Sequence, residues 1–128
     1  MGSQVQNIQN YQQVNCQAPP PPPVPPSSSV IAELTVDRGC GAIYYVGDPI
    51  IVTLRILQTP GGARVPFQLL DVLPDGRVQR FAFPPLGVGE YAQLRGLITP
   101  PRGTETLILQ AFLNGQWQNV ASCSFQVR

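Results

Sequence analysis

The 128 residues carry three cysteines, seven carboxylates and eight basic side chains, and any ionic or nucleophilic chemistry must draw on these. All eight basic residues are arginine, and there is no histidine. Without an imidazole there is no Ser-His or Cys-His nucleophile pair and no histidine metal ligand. Without lysine there is neither a Schiff base nor the ammonium of a phosphate loop. This inventory points away from an enzyme. It names no catalytic residue, no metal ligand and no cofactor, and it leaves a binding or structural module.

The cysteines are the most informative group. Cys16, Cys40 and Cys123 show no CxxC spacing, which argues against a zinc site or a thioredoxin-like motif. Cys40 follows the first strand-like run of the main block, and Cys123 lies near the end of the last. Terminal strands of a sandwich often run side by side, so a Cys40–Cys123 bridge is feasible in an oxidising compartment; two buried thiols are the alternative. Closing so long a loop would stabilise by roughly 4 kcal/mol in the chain-entropy model. Cys16 is then the odd thiol, for a second subunit or left free.

Asp37, Asp48, Asp71 and Asp75 fall near turns or strand ends, and turn hydrogen bonds account for them better than calcium, since there is no DxDxDG loop. Arg77 and Arg80 flank Phe81 and Phe83, a faint echo of nucleic-acid surfaces. With a net charge of +1 and no basic block, however, neither a nucleic acid nor an anionic membrane is an expected partner.

The elements that would position these groups are strands. Val30, Ala32, Leu34 and Val36 alternate onto one face, as do Ile50, Val52, Leu54 and Ile56. VPFQLLDVL and RVQRFAF flank Pro74–Gly76, a tight-turn sequence. Tyr91–Thr99 and Glu105–Leu113 follow. Asn114-Gly115, the strongest short hairpin signal, leads into QWQNVASCSFQVR, where Val120 is offset from Ala121, Cys123, Phe125 and Val127. About seven short strands without a helical stripe predict an all-β, immunoglobulin-like antiparallel sandwich over residues 30–128. Tyr44, Tyr45, Phe67, Phe81, Phe83, Tyr91, Phe112, Trp117 and Phe125 are expected to fill much of its core.

The first 32 residues carry no charge. Residues 1–17 form a Gln/Asn-rich segment, and residues 18–29 a polyproline and serine spacer in which positions 19–26 are proline except Val24. Such a run adopts polyproline II, so eight residues make a stiff rod of roughly 25 Å. The segment before it has apolar residues at Val5, Ile8, Tyr11 and Val14, too few to bury a core of their own. It is either disordered or ordered on a partner, by adding a strand to a sheet edge or through Gln/Asn ladders. With Cys16, these four are the candidate intersubunit contacts.

Several pieces of the main block have a further likeness: DRG at Asp37–Gly39, YVGDP at Tyr45–Pro49, LLDVLPDGRV at Leu69–Val78, FAFP at Phe81–Pro84 and PRGTETL at Pro101–Leu107. Together they resemble a bacterial domain-of-unknown-function family with an immunoglobulin-like sandwich. The resemblance implies an accessory domain of the kind found beside peptidases or kinases, with no catalytic residues to carry over.

The expected function is a non-enzymatic structural subunit, assembling with itself head-to-tail as its N-terminal segment packs on a neighbouring sandwich. A monomeric surface or periplasmic recognition module on a proline-rich stalk is the alternative. MGSQVQNIQN has no charged n-region and no apolar h-region, so an extracellular or cell-surface location presumes a signal already removed; a cytoplasmic chain is the other reading. No stretch has the length of a membrane-spanning helix.

Overall fold

A computed structural model of the chain describes Ser3–Gln4, Gln12–Val14 and residues 29–128. The apolar alternation of the main block resolves into two five-stranded sheets packed face to face. The first contains β3 (Ile31–Val36), β5 (Pro49–Gln58) and β8 (Tyr91–Ile98), in the order β8-β5-β3. Two short N-terminal strands, β1 (Ser3–Gln4) and β2 (Gln12–Val14), both lie on the outer edge of β8. The second sheet runs β4 (Ile43–Tyr44), β10 (Gln116–Val127), β9 (Gly103–Leu113), β6 (Val65–Val72), β7 (Val78–Leu86). Every pairing is antiparallel except that of β4 with β10. The molecule is an all-β sandwich.

Inward positions follow period 2 closely. Ile50, Val52, Leu54 and Ile56 of β5 face Leu107, Leu109 and Ala111 of β9 and Phe67 and Leu69 of β6 across a continuous core, all essentially inaccessible to water. The β9–β10 hairpin turns at Asn114 (φ 52°) and Gly115 (φ 75°), the paired positive φ values that Asn-Gly supplies at least cost. The offset at Val120 is a β-bulge: the β10–β9 register slips between Asn119 and Ala121, which returns Ala121, Cys123 and Phe125 to the core side.

The sandwich departs from expectation in three places. The main block holds an eighth strand, β4, whose two residues are too few to show a period. Of the aromatics expected inside, Tyr45 is 58% exposed, and Phe112 and Trp117 are 40% exposed each. Phe112 and Trp117 lie on β9 and β10 in phase with the outward-facing residues. Third, the two cysteines do not sit on strands that run side by side: Cys40 lies in the loop after β3, and Cys123 on β10. β3 belongs to the first sheet and β10 to the second, so a link between Cys40 and Cys123 ties sheet to sheet.

Candidate functional site: the open edge of strand β8

β8 pairs along one side with β5, from Pro49 opposite Leu97 to Arg55 opposite Tyr91. Ala92, Leu94 and Ile98 point into the core. Tyr91, Gln93, Arg95 and Leu97 alternate outward, and two of them are fixed there by β5. Gln93 Nε2 donates to Thr53 Oγ1 at 3.2 Å, and the Arg55 guanidinium lies 5.1 Å from the centre of the Tyr91 ring. The other side of β8 presents backbone N–H and C=O groups that need partners.

The N-terminal leader supplies them. Ser3 and Gln4 pair with Ile98 and Leu97, while Gln12, Gln13 and Val14 pair with Gln93, Ala92 and Tyr91, all antiparallel. The leader therefore runs the length of β8 in one direction. Between Gln4 and Gln12 it takes eight residue steps where β8 takes four, from Leu97 to Gln93. The pairing is thus two short ladders with surplus chain between them, a weaker grip than one continuous strand. Of the candidate contact residues, Val14 falls on the edge, opposite Tyr91. Val5, Ile8, Tyr11 and Cys16 lie outside the described residues.

The end of the sandwich beside this edge is held by a polar cluster. Tyr44, fully buried, donates its hydroxyl to Asp37 Oδ1 at 2.6 Å and accepts from the Arg38 N–H at 3.0 Å. Burial, then the Asp37 hydrogen bond, push the Tyr44 phenol up to about 12. Asp48 accepts from the Tyr45 N–H and pairs with Arg38, each at 2.8 Å, and the Tyr45 N–H holds its carboxyl below the usual carboxylate range. This is the turn role expected of Asp48, and Asp75 repeats it by accepting from the Arg77 N–H at 3.0 Å. The adjacent loop carries Cys40, bonded to Cys123 with Cα atoms 5.3 Å apart.

Asp71 does not have the turn role expected of it. It is fully buried on the core side of β6, in phase with Phe67 and Leu69, and Glu105 is fully buried on the neighbouring strand β9. Asp71 stands opposite Leu107, two residues along from Glu105, and opposite Gln79 on β7. Neither Asp71 oxygen receives a hydrogen bond from a fixed donor. Desolvation, and then the Glu105 side chain, push the Asp71 carboxyl up to about 10. A proton retained there lets one carboxyl donate to the other. Both carboxyls are fully buried, so the pair is sealed from solvent. Its role is in stability. Among the described residues no group of three His, Cys, Asp or Glu side chains could hold a metal ion, and no helix is long and apolar enough to cross a membrane.

No family model and no curated protein matches the chain. Among solved structures it is similar to CopC from Methylosinus trichosporium OB3b, with 12% identity and a TM-score of 0.49 over 77% of this chain and 93% of that one. It is also similar to a cohesin module from a Clostridium perfringens ATCC13124 family 33 glycoside hydrolase, with 12% identity and a TM-score of 0.45 over 80% of this chain and 98% of that one. At such identity the likeness reaches no further than the sheet arrangement.

Proposed function

We propose that the protein is a non-enzymatic structural subunit of an extracellular or cell-surface fibre, in which the leader of one copy pairs with the β8 edge of the next. The observation that carries this reading is the seating of Ser3–Gln4 and Gln12–Val14 on β8, which identifies the edge and the direction of pairing. A chain on its own has only its own β8 to offer. In a concentrated population the same ladder forms equally well between copies, and each exchange leaves one leader and one edge for the next subunit.

Linker geometry favours exchange. Within one chain, β2 and β3 stand three strand spacings apart across the sheet, about 14 Å, and the start of β3 lies three residues further along β5 than the end of β2. Sixteen residues, 15–30, lie between them, and within these the run Pro19–Pro26 favours a rod of roughly 25 Å. A stiff element of this length suits a distance between subunits. The Cys40–Cys123 disulfide supports an oxidising location. The second reading, a monomeric recognition module whose leader covers its own edge, is favoured by the leader pairing with β8 of the same chain.

Deleting residues 1–29 separates them. Light scattering coupled to size-exclusion chromatography should show the full chain as a concentration-dependent ladder of oligomers and the truncated chain as a folded monomer. A full chain that stays monomeric at high concentration, or a truncated chain that keeps the ladder, contradicts the fibre.

A further inference from the structure

The outer face of the second sheet is unlike the rest of the surface. On β6, β9 and β10 its outward positions carry no charge, and Arg80 on β7 is the charge on this face. Across it runs a row of amides in register: Gln68 Nε2 donates to Gln110 Oε1 at 2.6 Å, and Gln110 Nε2 donates to Asn119 Oδ1 at 2.7 Å. One step along the strands toward the Asn-Gly turn, Phe112 and Trp117 stand opposite each other, both substantially exposed, with ring centres 5.2 Å apart at 64°. In the other direction lie hydroxyls, with Thr106 Oγ1 and Ser124 Oγ 2.9 Å apart. A shallow hollow lined by Thr106, Ile108, Asn119, Val120, Ala121 and Ser122 opens where the bulge turns the backbone aside.

We infer that this face binds an uncharged carbohydrate chain, with Trp117 and Phe112 as the stacking platform and the Gln110–Asn119 row as the hydrogen-bonding rail. The ligand class follows from what the face offers. Nucleic acid needs cations that are missing here, and an acidic or basic peptide would find no counter-charge. A neutral sugar has an apolar ring face that covers an exposed aromatic and a rim of hydroxyls that both donate and accept. Amides pinned in a row offer both functions without a further loss of side-chain freedom. This inference does not depend on the fibre.

Trp117 is the single tryptophan, so its emission reports the site directly. The full chain would be run in native gels containing β-1,4-glucan, xylan, mannan or starch, with heparin as the charged control, and titrated in parallel with the matching neutral oligosaccharides. The expected result is retardation by at least one neutral polysaccharide and none by heparin, with a saturable change in Trp117 emission. Trp117→Ala should weaken retardation about tenfold or more, as loss of a central aromatic anchor does, and Asn119→Ala should weaken it while keeping the emission change. Absence of retardation by every neutral polysaccharide, retardation by heparin alone, or an undiminished Trp117→Ala variant would overturn the inference. Trp117→Phe, which keeps a stacking ring, guards against misfolding by restoring most of the retardation.

Discussion

Replacing Cys40 and Cys123 by alanine should lower the unfolding free energy by about 4 kcal/mol, the entropy of a denatured chain no longer closed into a long loop. The bridge spans 83 positions and joins the loop after β3 to the last strand of the opposite sheet. Its loss therefore frees nearly the whole sandwich in the unfolded state. For a domain of about 100 residues, 4 kcal/mol corresponds to a fall in melting temperature of roughly 20 °C. Denaturant titration of the double variant would show this as a lower midpoint; a loss below about 1 kcal/mol would mean the denatured chain was never constrained by that loop. The Cys40–Cys123 bond leaves Cys16 as the thiol outside it.

The second large effect concerns pH. Asp71 has its carboxyl raised from 3.8 to about 10, first by burial and then by Glu105. The folded chain thus holds a proton that the unfolded chain releases in mildly acid solution. Its stabilisation is complete below pH 4 and is lost as pH rises toward 10. Ionising both carboxyls would place two like charges side by side in the core without a counter-ion. Asp48 and Asp75 act in the opposite sense: their carboxyls are held low by the Tyr45 and Arg77 N–H groups, so their contribution disappears only on strong acidification. Stability between pH 5 and 9 should therefore decline with pH. Asp71→Asn, whose amide can donate to Glu105 without titrating, should flatten the decline. Wild-type stability that climbs over this range, or an Asp71→Asn profile that keeps the wild-type slope, would contradict a shared proton.

Both effects rest on residues whose meaning was unevenly legible. The strands were readable because Ile50–Ile56 and Leu107–Ala111 place an apolar residue at every second position, and the Asn114-Gly115 turn because its dipeptide has one favoured geometry. Val120 was visible as a break in phase, which the bulge explains. Asp71 was misread for a specific reason: it was assigned to a turn by residue type, although it shares the phase of Phe67 and Leu69, as Glu105 in its strand shares that of Leu107 and Leu109. Had alternation been followed through it, Asp71 would have been placed inside. Phe112 and Trp117 erred the other way, being assigned by apolarity to a core that their phase excludes. β4 and the sheet-to-sheet course of the disulfide had no local signal, because they depend on which strands meet across the sandwich. For the leader, composition left disorder and ordering on a partner both open; the β8 edge was not legible, since an edge is a property of the assembled sheet.

The central claim is that the leader's partner is another copy's β8. Gln12 stands opposite Gln93 in the ladder, close enough for engineered cysteines to bond. In a Cys16→Ser background, one chain would carry Gln12→Cys and a second chain Gln93→Cys. Mixed and oxidised, they are predicted to give a covalent heterodimer on non-reducing gels, and a chain carrying both substitutions a ladder of multimers. A doubly substituted chain that closes on itself as a monomer, with the mixed single variants left unlinked, would show the leader lying on its own sandwich and contradict the fibre.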